Sequence, residues 1–296
     1  MKDSFSTFHP FVNFSYFVVV LLFSMLFMHP IFQAIALISA AVYSLMLKGK
    51  KAASFNLLYM LPFLLFMAIM NPVFNHRGVT ILFYLNNGNP ITKESILYGV
   101  AAACMFVTVI LWFSCYNVVM TSDKFIYIFG TILPALSLVF SMVLTFVPRY
   151  LAQIKVISNA QKCIGRDVTQ GNLLTRVRNG ITILSIMTTW ALENAIETAD
   201  AMRSRGYGLP GRTSFSIFRL DGRDKVVLSI MTGLISLVAV GAVLGENTMR
   251  FYPSIKASVI TPFSILVYIA YLALCMIPVL VNMVEAMKWK FIESKN

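Results

Sequence analysis

Long apolar runs separated by short polar segments make up most of this chain. Six of these runs contain no Asp, Glu, Lys or Arg, and each is close to the length that crosses the hydrocarbon core of a bilayer. They are residues 14–29, 31–47, 55–74, 95–119, 226–244 and 259–284. The pattern predicts an all-α fold, a polytopic helical membrane protein with about six spans, in which lipid is a partner of the chain.

Composition agrees with this pattern, because 58% of the residues are apolar, only 12% are charged and the mean hydropathy is +0.77. These values lie outside the range of soluble globular proteins. The predicted spans also carry no ionisable side chain at mid-membrane, where ion-driven transporters and proton pumps usually bind or relay the coupling ion. That absence argues against both classes of membrane protein.

A seventh uncharged run, residues 125–148, complicates the topology. The Lys-rich loop at 48–51, the basic segment 149–225 and the C-terminal tail are expected in the cytoplasm, with both termini inside. Run 125–148 must then return to the side that it left, as an interfacial helix or as a re-entrant pair broken near Gly130 or Pro134. Alternatively, it crosses fully and a neighbouring span does not.

The sequence indicates neither a cleaved signal peptide nor a metal ion, disulfide or cofactor. Lys2 is followed at once by Asp3 and no small-residue cleavage site follows, so the first apolar run is expected to stay in the mature protein. The cysteines lie far apart without CxxC spacing, and no histidines are paired, so we expect no metal site, disulfide or cofactor. The cysteines are Cys104, Cys115, Cys163 and Cys275.

Charge is concentrated in residues 149–225, which hold twelve of the 24 Lys and Arg and six of the 12 Asp and Glu. This concentration predicts three regions. They are N-terminal transmembrane helices at 1–124, an interfacial segment with a cytoplasmic coupling domain at 125–225, and C-terminal transmembrane helices with a tail at 226–296. The acids mixed among the bases argue against nucleic acid as a partner.

The basic region contains two helix-like stretches. The first is expected to begin at Pro148 and end near Gly165, with Leu151, Ile154, Ile157 and Ile164 on one face. The second follows Asn172 and runs to Arg205.

Small residues step along the second stretch at helical spacing, which predicts that an alanine-rich face crosses a partner helix closely, most simply the first helix. That face comprises Leu184, Thr188, Ala191, Ala195, Ala199 and Met202. Glu193, Glu197 and Asp200 mark a wetter face, where Asp200 is placed to pair with Arg203.

Each stretch stops at a glycine that has an arginine beside it, as Gly165-Arg166 and as Arg205-Gly206. Glycine suits the left-handed residue that ends many helices, and a cation near the last carbonyls is favoured by the helix dipole. An exposed guanidinium there is also a fork of donors suited to a partner's carboxylate or carbonyl groups.

These residues resemble the transmembrane T component of energy-coupling factor (ECF) transporters, the CbiQ-like family. The segment from Ala201 to Tyr207 matches the family's Ala-Met-x-x-Arg-Gly-Tyr motif, and Ser204-Arg205-Gly206 fits its small-Arg-small signature. Supporting matches are His9-Pro10, Val147-Pro148, Ala160-Gln161 and Gly171-Asn172-Leu173.

One departure from the family pattern concerns the first helix end. An ungapped match puts Ile164 where the family's Ala-Gln-x-Ala-Arg-Gly motif has arginine, with Cys163 at the preceding alanine. Arg166 is the candidate substitute, and Lys162 is a weaker one because it lacks the planar fork.

The resemblance implies a non-catalytic scaffold in a bacterial or archaeal cell membrane. Such a scaffold binds two ABC ATPase subunits and one small substrate-binding S component, and it couples ATP hydrolysis to uptake of a vitamin or transition-metal ion. The docking residues implied on the ATPase side are Arg205, Gly206, Ser204, Ala201, Arg166, Gly165 and Lys162.

Other functional classes remain open from the residues alone. A lipid-processing membrane enzyme would need a polar cluster, and the best available one combines His76 with Glu193, Glu197 and Asp200. The predicted topology puts His76 outside and these acids inside, which counts against it. A further alternative is another transport subunit, or one that binds anionic lipid through its basic region.

Overall fold

A computed structural model describes residues 3–84, 88–207, 218–257 and 260–293. Helices dominate them, in the order α1 (Pro10–Leu26), α2 (Pro30–Lys48), α3 (Lys50–Phe55), α4 (Leu61–Phe74), α5 (Lys93–Val119), α6 (Ser122–Ile132), α7 (Pro134–Cys163), α8 (Leu173–Ser204), α9 (Gly222–Val243) and α10 (Pro262–Glu293). A 3₁₀ turn (Phe5–Thr7) precedes α1, and a π-helical turn (Asn56–Met60) joins α3 to α4. Two short antiparallel hairpins pair β1 (Ile81–Tyr84) with β2 (Pro90–Thr92) and β3 (Met249–Arg250) with β4 (Lys256–Ala257).

Six helical segments in the described part of the chain are long and apolar enough to cross a membrane. They are Pro30–Lys48, Lys50–Phe74, Lys93–Val119, Ser137–Cys163, Gly222–Val243 and Pro262–Glu293. The predicted class, an all-α polytopic membrane protein, is confirmed. These six segments differ from the six predicted spans in one member. The helix α1 is left out because it has only 17 residues, or about 26 Å, and most of α7 takes its place.

The chain forms two compact units, one of Met1–Phe125 with Phe218–Asn296 and one of Ile126–Ile217. Aromatic side chains build the core of the first unit. Trp112 of α5 is fully buried, and its ring lies edge-on to Tyr16 of α1 at 6.0 Å between centroids. The Tyr16 hydroxyl donates a hydrogen bond of 2.9 Å to the carbonyl oxygen of Cys275, so one side chain links α1, α5 and α10.

Close helix packing in the first unit depends on small residues. A Cβ atom at Gly99 of α5 would lie 2.8 Å from the carbonyl oxygen of Ala68 in α4. A Cβ atom at Gly241 of α9 would lie 2.6 Å from Cγ2 of Val267 in α10. At both places the absent side chain lets neighbouring helices approach closely, as is common in membrane helix bundles.

The segment before α1 is fastened to several helices of the same unit. Asn282 of α10 donates to Oδ1 of Asp3 at 2.6 Å, and its own Oδ1 accepts from the backbone N–H of Ser4 at 2.7 Å. Lys124 of α6 donates to the carbonyl oxygens of Val119, at 2.9 Å, and Ser6. Burial lowers the pKa of Lys124, although the nearby Asp3 opposes this effect.

The uncharged run 125–148 breaks at Leu133, between the end of α6 and Pro134 in the first turn of α7. A break near Gly130 or Pro134 was one of the predicted alternatives. Pro148, however, does not begin a helix but lies inside α7. The start predicted there was wrong because proline removes only one backbone donor, which a long membrane-type helix tolerates.

The second helix of the basic region has the predicted bounds. α8 starts after Asn172, whose Oδ1 accepts from the backbone N–H of Leu173 at 2.8 Å, and it ends at Ser204. Side-chain capping at the start and glycine after the end are local signals, and for this reason they could be read from sequence.

The contact between α7 and α8 uses large side chains. Ile157 of α7 is buried with Ile183 and Met187 of α8, and the residues packed around them are Tyr150, Ile154, Val168 and Trp190. Ala195 and Ala199 are exposed, so the prediction that the alanine-rich face crosses the first helix was wrong. Large side chains bury more apolar area at a crossing, and this gain outweighs the closer approach that alanine allows.

Trp190 closes one end of this contact, with its ring 5.6 Å from that of Tyr150 and 5.7 Å from the guanidinium carbon of Arg149. We expect Trp190→Ala to weaken the α7–α8 contact by roughly 1–3 kcal/mol, because it removes apolar burial and a cation–π contact. Hydrogen exchange of the purified protein should then speed up in peptides of both helices. Leu192→Ala is the control, since Leu192 is 63% exposed; equal exchange in both variants would contradict the assignment.

Candidate functional site

The end of α8 is built by its own backbone. Gly206 has a φ of +76°, and its N–H donates to the carbonyl oxygen of Arg203 at 3.0 Å. The N–H of Tyr207 donates to the carbonyl oxygen of Met202, also at 3.0 Å. This pair of bonds is the Schellman motif, in which Arg205 takes the C-cap position.

The end of α7 has the same construction. Gly165 has a φ of +80°, and its N–H donates to the carbonyl oxygen of Lys162 at 3.0 Å. The N–H of Arg166 donates to the carbonyl oxygen of Gln161 at 2.9 Å. The equivalent positions are therefore Ile164 with Arg205, and Arg166 with Tyr207. The ungapped motif match that placed Ile164 opposite the family's arginine agrees with this backbone equivalence.

The end of α8 presents a cation beside a shallow cavity. Arg205 is exposed, and within the described part of the chain its side chain pairs with no acidic group. The cavity has a volume of about 250 Å³ and is lined by Met202, Arg205, Gly206 and Tyr207. Ala201 and Ser204 are exposed beside it, and the Ser204 hydroxyl donates back to the Ala201 carbonyl at 2.9 Å.

The end of α7 is organised by Asp167. Its Oδ1 accepts from the backbone N–H of Thr169 at 2.9 Å, and its Oδ2 lies 3.5 Å from Nζ of Lys162. The hydrogen bonds from Thr169, aided by the charge of Lys162, hold the pKa of the Asp167 carboxyl below its ordinary value. Lys162 is thus engaged in an ion pair, whereas Arg166 and Ile164 point outward as exposed side chains.

Two hydrogen bonds attach the end of α7 to the beginning of α8. Nδ2 of Asn179 donates to the Asp167 carbonyl at 3.0 Å, and Nε of Arg176 donates to the Val168 carbonyl at 2.9 Å. Ser204 lies 25 residues beyond Asn179 on the same helix. At 1.5 Å per residue, the stretch of α8 between these two residues is about 38 Å long. Since Asn179 contacts the residues just after α7, the two helix ends are about that far apart. Sequence reasoning missed Arg176, Asn179 and Asp167, because no local pattern pairs these positions.

The polar side chains considered for catalysis belong to different units of the chain. Glu193, Glu197 and Asp200 are exposed on α8 in the second unit, whereas His76 belongs to the first. Among the described residues, no group of three His, Cys, Asp or Glu could hold a metal ion. The ion pairs formed by the described residues are Lys162 with Asp167 and Arg223 with Glu285. The predicted pair of Asp200 with Arg203 is therefore not formed.

These features define a polytopic membrane protein whose second unit carries two alike, exposed helix ends. Comparison with known families then identifies it further. The CbiQ family, described as "Cobalt transport protein", matches residues 4–217, which is most of the chain. The chain belongs to this family, and its resemblance to the transmembrane component of ECF transporters is confirmed.

Relatives of the chain are named as transmembrane components of ECF transporters. The chain is 37% identical over 105 residues to the energy-coupling factor transporter transmembrane protein EcfT of Lactococcus lactis, a match that covers 35% of this chain and 40% of that protein. It is 30% identical over 181 residues to EcfT 1 of Listeria monocytogenes, covering 57% of this chain and 66% of that protein. The matches thus span from less than half to about two thirds of these relatives.

Proposed function

We propose that this protein is the non-catalytic transmembrane scaffold of an ECF-type importer. It binds two cytoplasmic ABC ATPase subunits through the ends of α7 and α8. It transmits their ATP-driven closure to a separate, membrane-embedded S component that carries the substrate. ATP hydrolysis and tight substrate binding both belong to these partners.

The observation that carries this proposal is the pair of alike helix ends about 38 Å apart. That separation exceeds the reach of one docking groove for a helix tip and suits two separate partners. At the end of α8, Arg205 docks while Gly206, Ser204 and Ala201 permit close approach. At the end of α7, the docking group contains Gly165, Arg166 and Lys162, although the ion pair with Asp167 occupies Lys162.

A second partner is supported by an apolar stripe on α8. Leu174, Val177, Ile181 and Leu184 recur at intervals of three and four residues and are 58% to 81% exposed. This face lies away from the buried contact that Ile183 and Met187 make with α7. A stripe of this kind suits a hydrophobic protein surface, and we assign it to the S component.

We propose a vitamin or a transition-metal ion as the substrate, and the family's description as a cobalt transport protein supports the second of these. The protein lies in a bacterial or archaeal cell membrane. The excess of Lys and Arg in residues 149–225 supports a cytoplasmic location for this segment, where ATPases are found. We assign both termini to the same side.

The test is mild-detergent purification of the tagged protein from its native membrane, with mass spectrometry of the retained proteins. We expect ABC ATPases and one small hydrophobic protein in stable ratios. A protein that is purified alone, or with soluble enzymes only, would contradict the scaffold and favour a lipid-processing enzyme. The identity of the small protein would indicate the substrate.

Gly206 offers a test of the tip geometry. With a φ of +76°, it occupies a conformation that valine avoids and asparagine tolerates. We expect Gly206→Val to reduce ATPase retention about tenfold by shifting Arg205, and Gly206→Asn to retain most of it. The measurement is the ATPase-to-scaffold ratio after purification; equal losses in both variants would show that the left-handed cap is not what matters.

A further inference from the structure

The two helix ends have the same backbone but carry their side chains in exchanged order. At the C-cap position α7 has Ile164 and α8 has Arg205, and two residues later α7 has Arg166 and α8 has Tyr207. Each end thus offers one cation and one large side chain with apolar surface, around a glycine in the left-handed conformation.

We propose that Ile164 is the docking side chain of the α7 end, and that this exchanged order makes each helix end specific for a different ATPase surface. This inference rests on the proposed function. In this proposal no other cation takes the role of the arginine that the first motif lacks. Ile164 makes an apolar contact from the same backbone position instead.

The exposure of Ile164 supports its role. It is 64% exposed at the tip of α7, where it contributes nothing to the buried contact between α7 and α8. The exposed Lys162 forms an ion pair with Asp167, with 3.5 Å between Nζ and Oδ2, and it lacks the planar fork of donors that an arginine would present. Arg166 is exposed, but its position is equivalent to Tyr207, and its guanidinium therefore leaves the helix from a different point than that of Arg205.

Electrostatics make the two docking surfaces incompatible. An ATPase pocket that binds Arg205 needs carboxylate or carbonyl groups that accept hydrogen bonds from the side chain of the C-cap residue. If Ile164 entered such a pocket, those acceptors would be buried without a partner, which is costly. The partner of the α7 end therefore has an apolar pocket for Ile164 and an acidic group near Arg166. Specificity arises because each end rejects the other's pocket.

Substitution of Ile164 distinguishes an apolar from an acidic dock. We expect Ile164→Arg to weaken retention of one ATPase about tenfold and Ile164→Leu to preserve it, because burial of one aliphatic side chain is worth about that factor. Gln170→Arg is the charge-matched control, since Gln170 is exposed in the loop after α7. Stronger retention with Ile164→Arg would overturn the proposal, because it would reveal an acidic pocket waiting for the family's arginine.

Cross-linking then tests specificity in the whole complex. A photoreactive benzoylphenylalanine at Cys163 or at Asp200, both exposed within a few residues of a tip, should label different ATPase surfaces, identified by mass spectrometry of the cross-linked peptides. Exchange of the tips, by Ile164→Arg with Arg166→Tyr and Arg205→Ile with Tyr207→Arg, should reverse the two labels.

The outcomes separate this inference from the function on which it rests. The same ATPase peptides labelled from both unexchanged tips would overturn the specificity but leave the scaffold intact. Absence of any ATPase from the unsubstituted complex would overturn both.

Discussion

Arg205→Glu is expected to abolish ATPase association, reducing retention about a hundredfold or more, while leaving membrane insertion unchanged. Truncation of one member of a buried charged pair at an interface typically costs 2–5 kcal/mol, and charge reversal adds repulsion. The fold should tolerate the change, because Arg205 is exposed at a C-cap and pairs with no acidic residue of the described chain. Purification from native membranes, followed by quantification of both ATPases and of substrate uptake, provides the measurement.

Lys155→Glu is the matched control for this experiment. It reverses the same charge at an exposed position of α7, nine residues before Ile164 and about 14 Å from that helix end. We expect it to retain both ATPases. Arg205→Lys should fall between the two, because lysine keeps the charge but loses the planar fork. Undiminished copurification of both ATPases with Arg205→Glu would remove the docking role from this residue.

Gly99→Val is expected to destabilise the first unit by about 3 kcal/mol, at the upper end of the usual cost of overpacking. A Cβ atom at this position would lie 2.8 Å from the backbone oxygen of Ala68, 3.0 Å from Cβ of Asn71 and 3.3 Å from Cδ of Pro72. Backbone atoms cannot move aside like a flexible side chain, so α4 and α5 must separate, and overpacking costs of this kind are commonly 1–3 kcal/mol. The midpoint of thermal unfolding in detergent should fall by roughly 10 °C.

Gly233→Val is the control for the packing effect. Gly233 lies within α9, and a Cβ atom there meets nothing within 4 Å. Both variants place a β-branched residue in an apolar helix, so helix propensity changes alike. Equal unfolding midpoints for the two would mean that contact between α4 and α5 does not limit stability.

The helix ends were the most predictable part of the site. Asn172 at the start of α8 and the glycines at 165 and 206 act through bonds to residues only a few positions away. Such signals are contained in short stretches of sequence. The same locality explains why the departure at Ile164 could be recognised before the fold was known.

The alanine-rich face on α8 shows the opposite case. Periodicity identified a stripe through Ala195 and Ala199, but a helix can present more than one stripe to a neighbour. Which one packs depends on the shape and volume offered by α7, where Ile157 meets Ile183 and Met187. Pro148 misled for a similar reason, since the same residue suits a first turn and is tolerated inside a long apolar helix.

By itself, the sequence determined the membrane class, the bounds of α8 and the two glycine-ended tips, because hydropathy and capping are local properties. Only the tertiary structure decided that Asn179 and Arg176 hold the end of α7 against α8. It alone put the tips about 38 Å apart and engaged Lys162 with Asp167. These results depend on contacts between separate segments, and such contacts are selected by the packing of the folded chain rather than by any short pattern along it.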